Sequence, residues 1–284
     1  MDQKTAVIYG AGQCGIMART YLKKNMNILG FADQRGDLQG RLIDGLPVIN
    51  PDKLSEYDPD LIVVAVLNAE QNRLITDRLL ESGVSRERIV SIRSLKEYLD
   101  ARSSAARLIA SEINSRGVPG AVAELGVYQG EFAALINELF PERSLYLFDT
   151  FEGFDERDVE IEAREKFSFA RAGDFRDTGV DLVRSRLPFP ERAVFKEGRF
   201  PGTVAELEET FAFVSIDADL YTPVYEGLKY FYPRLHQGGY ILIHDYNSMQ
   251  YKGAGKAVRQ YCVENNLFIV PLSDMHGSAV LIRQ

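Results

Sequence analysis

The same local plan occurs twice in this chain, and that repetition constrains the fold more than any other feature. Residues 5–10 form a short apolar run that breaks into Gly10-x-Gly12-x-x-Gly15, and a helical pattern follows through Lys24. A second apolar run, Ile28 to Ala32, ends on Asp33. Residues 121–126 repeat the plan as Ala-Val-Ala-Glu-Leu-Gly, followed by Gly130, a helical stretch to Leu139, and a run from Ser144 to Phe148 that ends on Asp149. The spacing from Gly10 to Asp33 equals that from Gly126 to Asp149. A strand, a glycine turn, a helix and a second strand tipped by a carboxylate make the opening of a nucleotide-binding parallel sheet.

Two such openings within 284 residues predict two α/β domains of ordinary size, both Rossmann-like. In the first half Leu61–Leu67 is an apolar run of the kind a buried parallel strand needs. A helix from about Glu70 to Ser82 and a strand Arg88–Ile92 follow. Residues 94–115 read as helix, with Leu95, Tyr98, Leu99, Leu108, Ile109 and Ile113 at helical spacing. Arg116-Gly117-Val118-Pro119-Gly120 stops it. The expected organisation is a domain over 1–93, a helical linker over 94–118 and a second domain over 119–284.

The second half gives strands at 121–125, 144–148, 193–196, 212–216 and 240–243, then runs at 267–272 and 278–283. Only a short turn separates the last two, so they must pair antiparallel as a hairpin. A parallel sheet closed by an antiparallel C-terminal hairpin is the plan of the class I methyltransferase fold, and here the two halves diverge.

Composition narrows the partners. The net charge of −8 denies the chain the basic field that a polyanion requires, so nucleic acid is not an expected partner. No apolar run approaches the roughly 20 residues that cross a bilayer, so no membrane span is expected. The start, Met-Asp-Gln-Lys-Thr, lacks the apolar core of a secretory signal, and a cytoplasmic location is expected. Cys14 and Cys262 match no zinc or redox spacing and read as small buried hydrophobes.

Candidate chemistry lies in the second half. Asp217-Ala-Asp219 falls at the end of the apolar run Phe211–Ile216, and His244-Asp245 at the end of Tyr240–Ile243. Ligands of open α/β sheets bind beyond the carboxyl ends of the strands, so four ionisable groups are expected on one edge. The bland alternative makes Asp219 a cap for the helix that starts near Pro223. His236 and His276 sit in predicted turns and read as solvated surface. The stretch 151–176, rich in charge and in Phe151, Phe154, Phe167, Phe169 and Phe175, is either a helix with one buried aromatic face or a lid over a site.

Several motifs occur in a fixed order: Gly117-Val-Pro-Gly120, Glu124-Leu-Gly126-Val-Tyr128-Gln-Gly130, Phe148-Asp149-Thr150-Phe151-Glu-Gly153, Asp177-Thr178, Glu197-Gly198-Arg-Phe-Pro201, Ser215-Ile-Asp217-Ala-Asp219-Leu-Tyr221, Gly238-Gly-Tyr240 and His244-Asp245-Tyr246. Together they resemble the macrocin O-methyltransferase family over about residues 104–284. The resemblance implies S-adenosylmethionine as methyl donor and a sugar or glycoconjugate hydroxyl as acceptor, in glycan, polysaccharide or natural-product biosynthesis. It places the cofactor among Glu124, Gly126, Tyr128, Gly130, Asp149, Thr150, Phe151, Gly198 and Asp217. Glu124 would take the methionyl ammonium and Asp149 the ribose hydroxyls. It makes Asp219 the general base and Asp217, His244 and Asp245 the ligands of a divalent metal, with magnesium expected. At one point the chain departs from the family pattern: His244 stands where that pattern has Asp. Imidazole suits magnesium poorly. Either the metal changes, or His244 is itself a catalytic base, or no metal binds.

In the first half, Gly10, Gly12 and Gly15 before a helix, with Asp33 at the next strand tip, suit a pyrophosphate at a helix N-terminus. With Asp44-Gly-Leu-Pro-Val-Ile49 they resemble the small Rossmann-like domain that leads many bacterial nucleotide-sugar-modifying proteins, over about residues 4–93. A nucleotide or nucleotide-sugar is the expected ligand there. The competing reading is a nucleotide sensor or assembly protein whose methyltransferase half is regulatory or inactive. A homodimer or higher homo-oligomer is the expected assembly.

Overall fold

Burial alternates with glycine turns along the chain, and the computed structural model resolves this pattern into two units, Met1–Asp100 and Ala101–Gln284. The structure describes residues 3–93, 100–274 and 277–284. Leu95, Tyr98, Leu99 and His276 lie outside the described residues.

The first unit contains β1 (Thr5–Tyr9), α1 (Gln13–Leu22), β2 (Asn27–Ala32), β3 (Leu42–Ile43), β4 (Leu46–Ile49), α2 (Leu54–Tyr57), β5 (Leu61–Val64), α3 (Ala69–Glu81) and β6 (Ile89–Ser91). Its sheet order is β3-β4-β2-β1-β5-β6. The strands β2, β1, β5 and β6 run parallel, as the apolar runs predict. Sequence reading missed the antiparallel pair β3–β4, whose β4 also pairs parallel with β2. Its Leu42 is exposed and Pro47 interrupts the pattern, so periodicity carried no signal. The run at 61–67 yields a strand only to Val64, and beyond it the Gly10 turn lies close to Ala65, whose carbonyl oxygen would be 3.0 Å from a Cβ at Gly10.

The second unit opens with α4 (Ala101–Ser115), followed by β7 (Ala121–Leu125), α5 (Glu131–Leu139), β8 (Leu145–Asp149), α6 (Glu156–Glu165), α7 (Val180–Arg186), β9 (Ala193–Glu197), β10 (Phe211–Ile216), α8 (Tyr221–Phe231), β11 (Leu235–Ile243), α9 (Lys252–Glu264), β12 (Val270–Pro271) and β13 (Ala279–Ile282). The helix α4 belongs to this unit: Ala106, Ile109, Ala110 and Ile113 bury one face of it in the core beside β7 and α5. Leu108, expected on that face, is exposed.

The sheet order is β12-β13-β11-β10-β7-β8-β9, parallel except for β13, which is antiparallel to both β11 and β12. This is the class I methyltransferase arrangement, with the C-terminal hairpin where the sequence predicts it. Helices cover both faces, and the aromatic core on one side holds Phe148, Phe200, Phe211 and Phe231. Each fully buried ring contributes about 1.5–3 kcal/mol. His236 lies in β11, half-buried and hydrogen-bonded to the Thr210 hydroxyl at 2.9 Å, rather than in a solvated turn.

Register decides where the chemistry falls. The central strand β10 pairs with β7 through Ser215↔Glu124 and with β11 through Ser215↔Leu242, so the three strands end level. The residues that follow each strand therefore emerge on one edge. Gly126 makes this possible. It sits at φ +84°, and a Cβ there would lie 2.1 Å from the carbonyl oxygen of Asp217. Its glycine is demanded by the neighbouring strand end, not only by a ligand.

Candidate active site

Four non-glycine residues adopt left-handed backbone conformations on this edge: Tyr128 after β7, Phe151 after β8, Asp219 after β10 and Asp245 after β11. Each costs about 1–3 kcal/mol, and such strain concentrates where side chains are held for function.

Asp217, Asp219, His244 and Asp245 do converge as the sequence predicts. The Nδ1 of His244 lies 2.9 Å from Oδ1 of Asp217 and 2.7 Å from Oδ2 of Asp245. Burial pulls the imidazole pKa down, but the Asp217 carboxylate outweighs it and raises the value to about 10, so the ring is held as a cation. Burial opposes ionisation of Asp217 as well, yet Arg102 and His244 hold its carboxyl far below the usual range. Asp219 behaves oppositely. Its burial and the nearby Asp245 and Asp217 charges push its carboxyl well up, and it is hydrogen-bonded to Asp245. The helix α8 begins at Tyr221, whose N–H donates to Oε1 of Glu162 at 2.8 Å. Capping is therefore the task of Glu162, and Asp219 is left to the edge.

Sequence reasoning missed Arg102, which enters the site from the first turn of α4. Its Nη1 donates to Oδ2 of Asp217 at 2.7 Å and its Nη2 to the Ser215 hydroxyl at 3.0 Å. The guanidinium lies 3.8 Å from the Phe132 ring centroid and 4.0 Å from Oε1 of Glu124. No motif signals an arginine that lies far along the chain from its partners. Tyr251 was missed as well. It is buried beside Asp219, and burial followed by the Asp219 charge raises its hydroxyl pKa.

Glu124 is 1% exposed, and its Oε2 is buried without a hydrogen-bond partner. Burial raises its pKa well above the ordinary value. An orphaned carboxyl oxygen in this place fits an ammonium donor. Asp149 is more committed to its own chain than its position suggests. Oδ2 accepts the N–H groups of Val127 and Tyr128 at 2.7 and 2.9 Å, and Oδ1 accepts that of Phe151 at 2.8 Å. This ties the two loops together and leaves capacity for a ribose hydroxyl at Oδ1 alone.

The remaining expected cofactor residues shape the loops. Thr150 donates to the Gly153 carbonyl at 2.6 Å, and Phe151 packs against Phe195. The N–H of Gly198 donates to the carbonyl of Asp149 at 2.9 Å. Gly130 precedes α5, where a Cβ would meet Val183 at 2.8 Å. The hydroxyl of Tyr128 donates to Asp177 at 2.8 Å. Tyr128, Phe175, Phe154 and Tyr251 form an edge-to-face chain with centroid spacings of 5.3, 5.2 and 5.9 Å. The stretch 151–176 thus supplies an aromatic rim through Phe154 and Phe175, Phe167 packs on Tyr221, and Phe169 is fully exposed.

The donor atoms of Asp217, His244 and Asp245 lie within 4.8 Å of one another, close enough for a cation. They do not fit magnesium. That ion asks for an octahedron of oxygens, whereas here one donor is imidazole and Oδ2 of Asp217 is paired with Arg102.

In the first unit Gly15 is required by packing, since a Cβ there would lie 1.9 Å from the Gly10 carbonyl oxygen. Gly12 is not, because a Cβ would meet nothing within 4 Å. Asp33 accepts the N–H of Ala11 and Nη2 of Arg35 on Oδ2, and the N–H and Nε of Arg35 on Oδ1. Its lone pairs are filled by the chain itself. Burial opposes its ionisation, but these bonds prevail and lower its pKa.

Residues 1–90 match the family model described as C2185-like, N-terminal. A curated relative, demethyldecarbamoylnovobiocin O-methyltransferase of Streptomyces niveus, is 24% identical over 49% of this chain, which spans 58% of that protein's length. The solved structure of the O-methyltransferase NovP matches with a TM-score of 0.54 at 20% identity, covering 65% of this chain and 80% of that one. The calicheamicin methyltransferase CalS11 matches with a TM-score of 0.53 at 22% identity, covering 76% of this chain and 94% of that one. Both structures support the fold described above. Residues 100–284 match the family model of the macrocin-O-methyltransferases (TylF), and the chain belongs to that family.

Proposed function

We propose that the second unit transfers a methyl group from S-adenosylmethionine to a sugar hydroxyl. The observation that carries this reading is the buried, unpartnered Oε2 of Glu124, set beside the carboxyl cluster on the strand edge of a TylF-family domain. S-adenosylmethionine supplies, when bound, an electrophilic methyl on a sulfonium. Glu124 receives the methionyl ammonium and Oδ1 of Asp149 one ribose hydroxyl. The aromatic rim of Tyr128, Phe154, Phe175 and Tyr251 excludes water and offers flat faces to a sugar ring. Asp219 takes the hydroxyl proton as the oxygen attacks in line. Burial and the nearby Asp245 and Asp217 charges raise its pKa, which makes its carboxylate a stronger base than an exposed one, whereas the His244 ring already holds its proton. The test is incubation with S-adenosylmethionine and a panel of nucleotide-linked and glycoside-linked sugars, read by mass spectrometry. An O-methylated sugar supports the reading, and methylation of another acceptor class alone contradicts it.

For the first unit we propose a nucleotide or nucleotide-linked sugar at the Gly10–Gly15 turn. Gly12 supports this, since packing gives no reason for glycine there. A ribose at Asp33 would require Arg35, whose side chain is 56% exposed, to swing aside. In full-length protein a uridine or thymidine diphosphate sugar should raise the melting temperature, and Gly12→Val should abolish the rise. No rise at millimolar ligand would leave an assembly role for this unit.

A further inference from the structure

The reacting edge carries a permanent cation of its own. Arg102 reaches it from α4 with a side chain only 13% exposed, held by Asp217, by the fully buried Ser215 and by the face of Phe132. A guanidinium stays charged at any pH a protein tolerates, and its planar fork is difficult to displace once paired. A divalent ion between Asp217, His244 and Asp245 would have to share Asp217 with that guanidinium. It would also have to take Nδ1 of His244 from the two carboxylates it now bridges. The imidazole in the donor set and the buried arginine on Asp217 act in the same direction.

We propose that Arg102 balances the charge of Asp217 in place of a divalent cation, so that this chain is a metal-independent member of its family. The inference builds on the methyl-transfer reading, but its test does not require turnover. Manganese is titrated into the full-length wild type, Arg102→Met and Arg102→Lys, and binding is read from loss of the free ion's electron paramagnetic resonance signal. Wild type should leave the signal unchanged up to millimolar metal. Arg102→Met removes the charge and keeps an apolar side chain beside Phe132, so it should bind manganese at least about tenfold more tightly. Arg102→Lys keeps the charge and should behave as wild type. Saturable wild-type binding that Asp217→Asn abolishes would overturn the proposal. So would an Arg102→Met variant that melts as wild type does and binds metal no better. If Arg102→Met does not fold, the wild-type titration against Asp217→Asn decides alone. Manganese binding needs no methyl donor, so a failure here is distinct from a failure to find methyl transfer.

Discussion

At the scale of single residues, two carboxylates on the same sheet edge are set to opposite tasks by their surroundings. Asp217 is paired with Arg102 and stays ionised, while Asp219 is buried against other carboxyls and holds its proton more readily. Replacing Asp219 by Asn keeps the size and removes the base. Turnover should fall by about 10²–10⁴ while S-adenosylmethionine still binds, which kinetics and calorimetry together would show. Asp149→Ala acts differently, because that side chain holds three backbone N–H groups as well as any ribose. Thermal melts and calorimetry should show loss of stability and of cofactor affinity together, the latter by about 1.5–3 kcal/mol. Lost affinity with an unchanged melt would assign Asp149 to the ligand alone. The strand-end acids were legible because parallel sheets place ligands at those ends. Arg102 and Tyr251 were not, because each arrives from a helix N-terminal region whose sequence carries no motif.

At the scale of elements, the packing of α6, α8 and α9 depends on one buried acid. Glu162 of α6 accepts the first N–H of α8, and Gly253 at the start of α9 leaves room for it, since a Cβ there would lie 2.1 Å from Oε1. Burial raises the Glu162 pKa. The folded chain therefore binds this proton more tightly than the unfolded one. The stability so gained is full below the ordinary carboxyl range and declines as pH rises through the raised value. Glu162→Ala should cost about 1–3 kcal/mol by orphaning the Tyr221 N–H. Glu162→Gln keeps the acceptor and removes the titration, so its denaturation curves should lose that part of the pH slope; an unchanged slope would contradict the assignment. None of this was visible in the sequence, where Glu162 is one acid in a charged stretch. The strands were legible because buried parallel strands are apolar runs, whereas the β3–β4 pair is short, has an exposed Leu42 and carries Pro47 within β4.

At the scale of the whole molecule, one sequence plan used twice has produced two sheets with different ends. Both strand tips carry an aspartate, yet each spends its carboxylate largely on its own loops: Asp33 on Ala11 and Arg35, Asp149 on Val127, Tyr128 and Phe151. Spacing alone predicted the turns correctly but overstated how much of each acid is available to a ligand. The halves differ in what surrounds the turn: among the described residues, the unpartnered Oε2 of Glu124 and the cluster of Asp217, His244 and Asp245 lie in the second. The most direct test of the central claim is calorimetric titration of S-adenosylmethionine into full-length wild type and Glu124→Gln. Saturable binding of one molecule per chain is expected, weakened in Glu124→Gln by about tenfold or more through loss of a charged hydrogen bond to the ammonium. Absence of binding to folded wild type, or full affinity in Glu124→Gln, would contradict it.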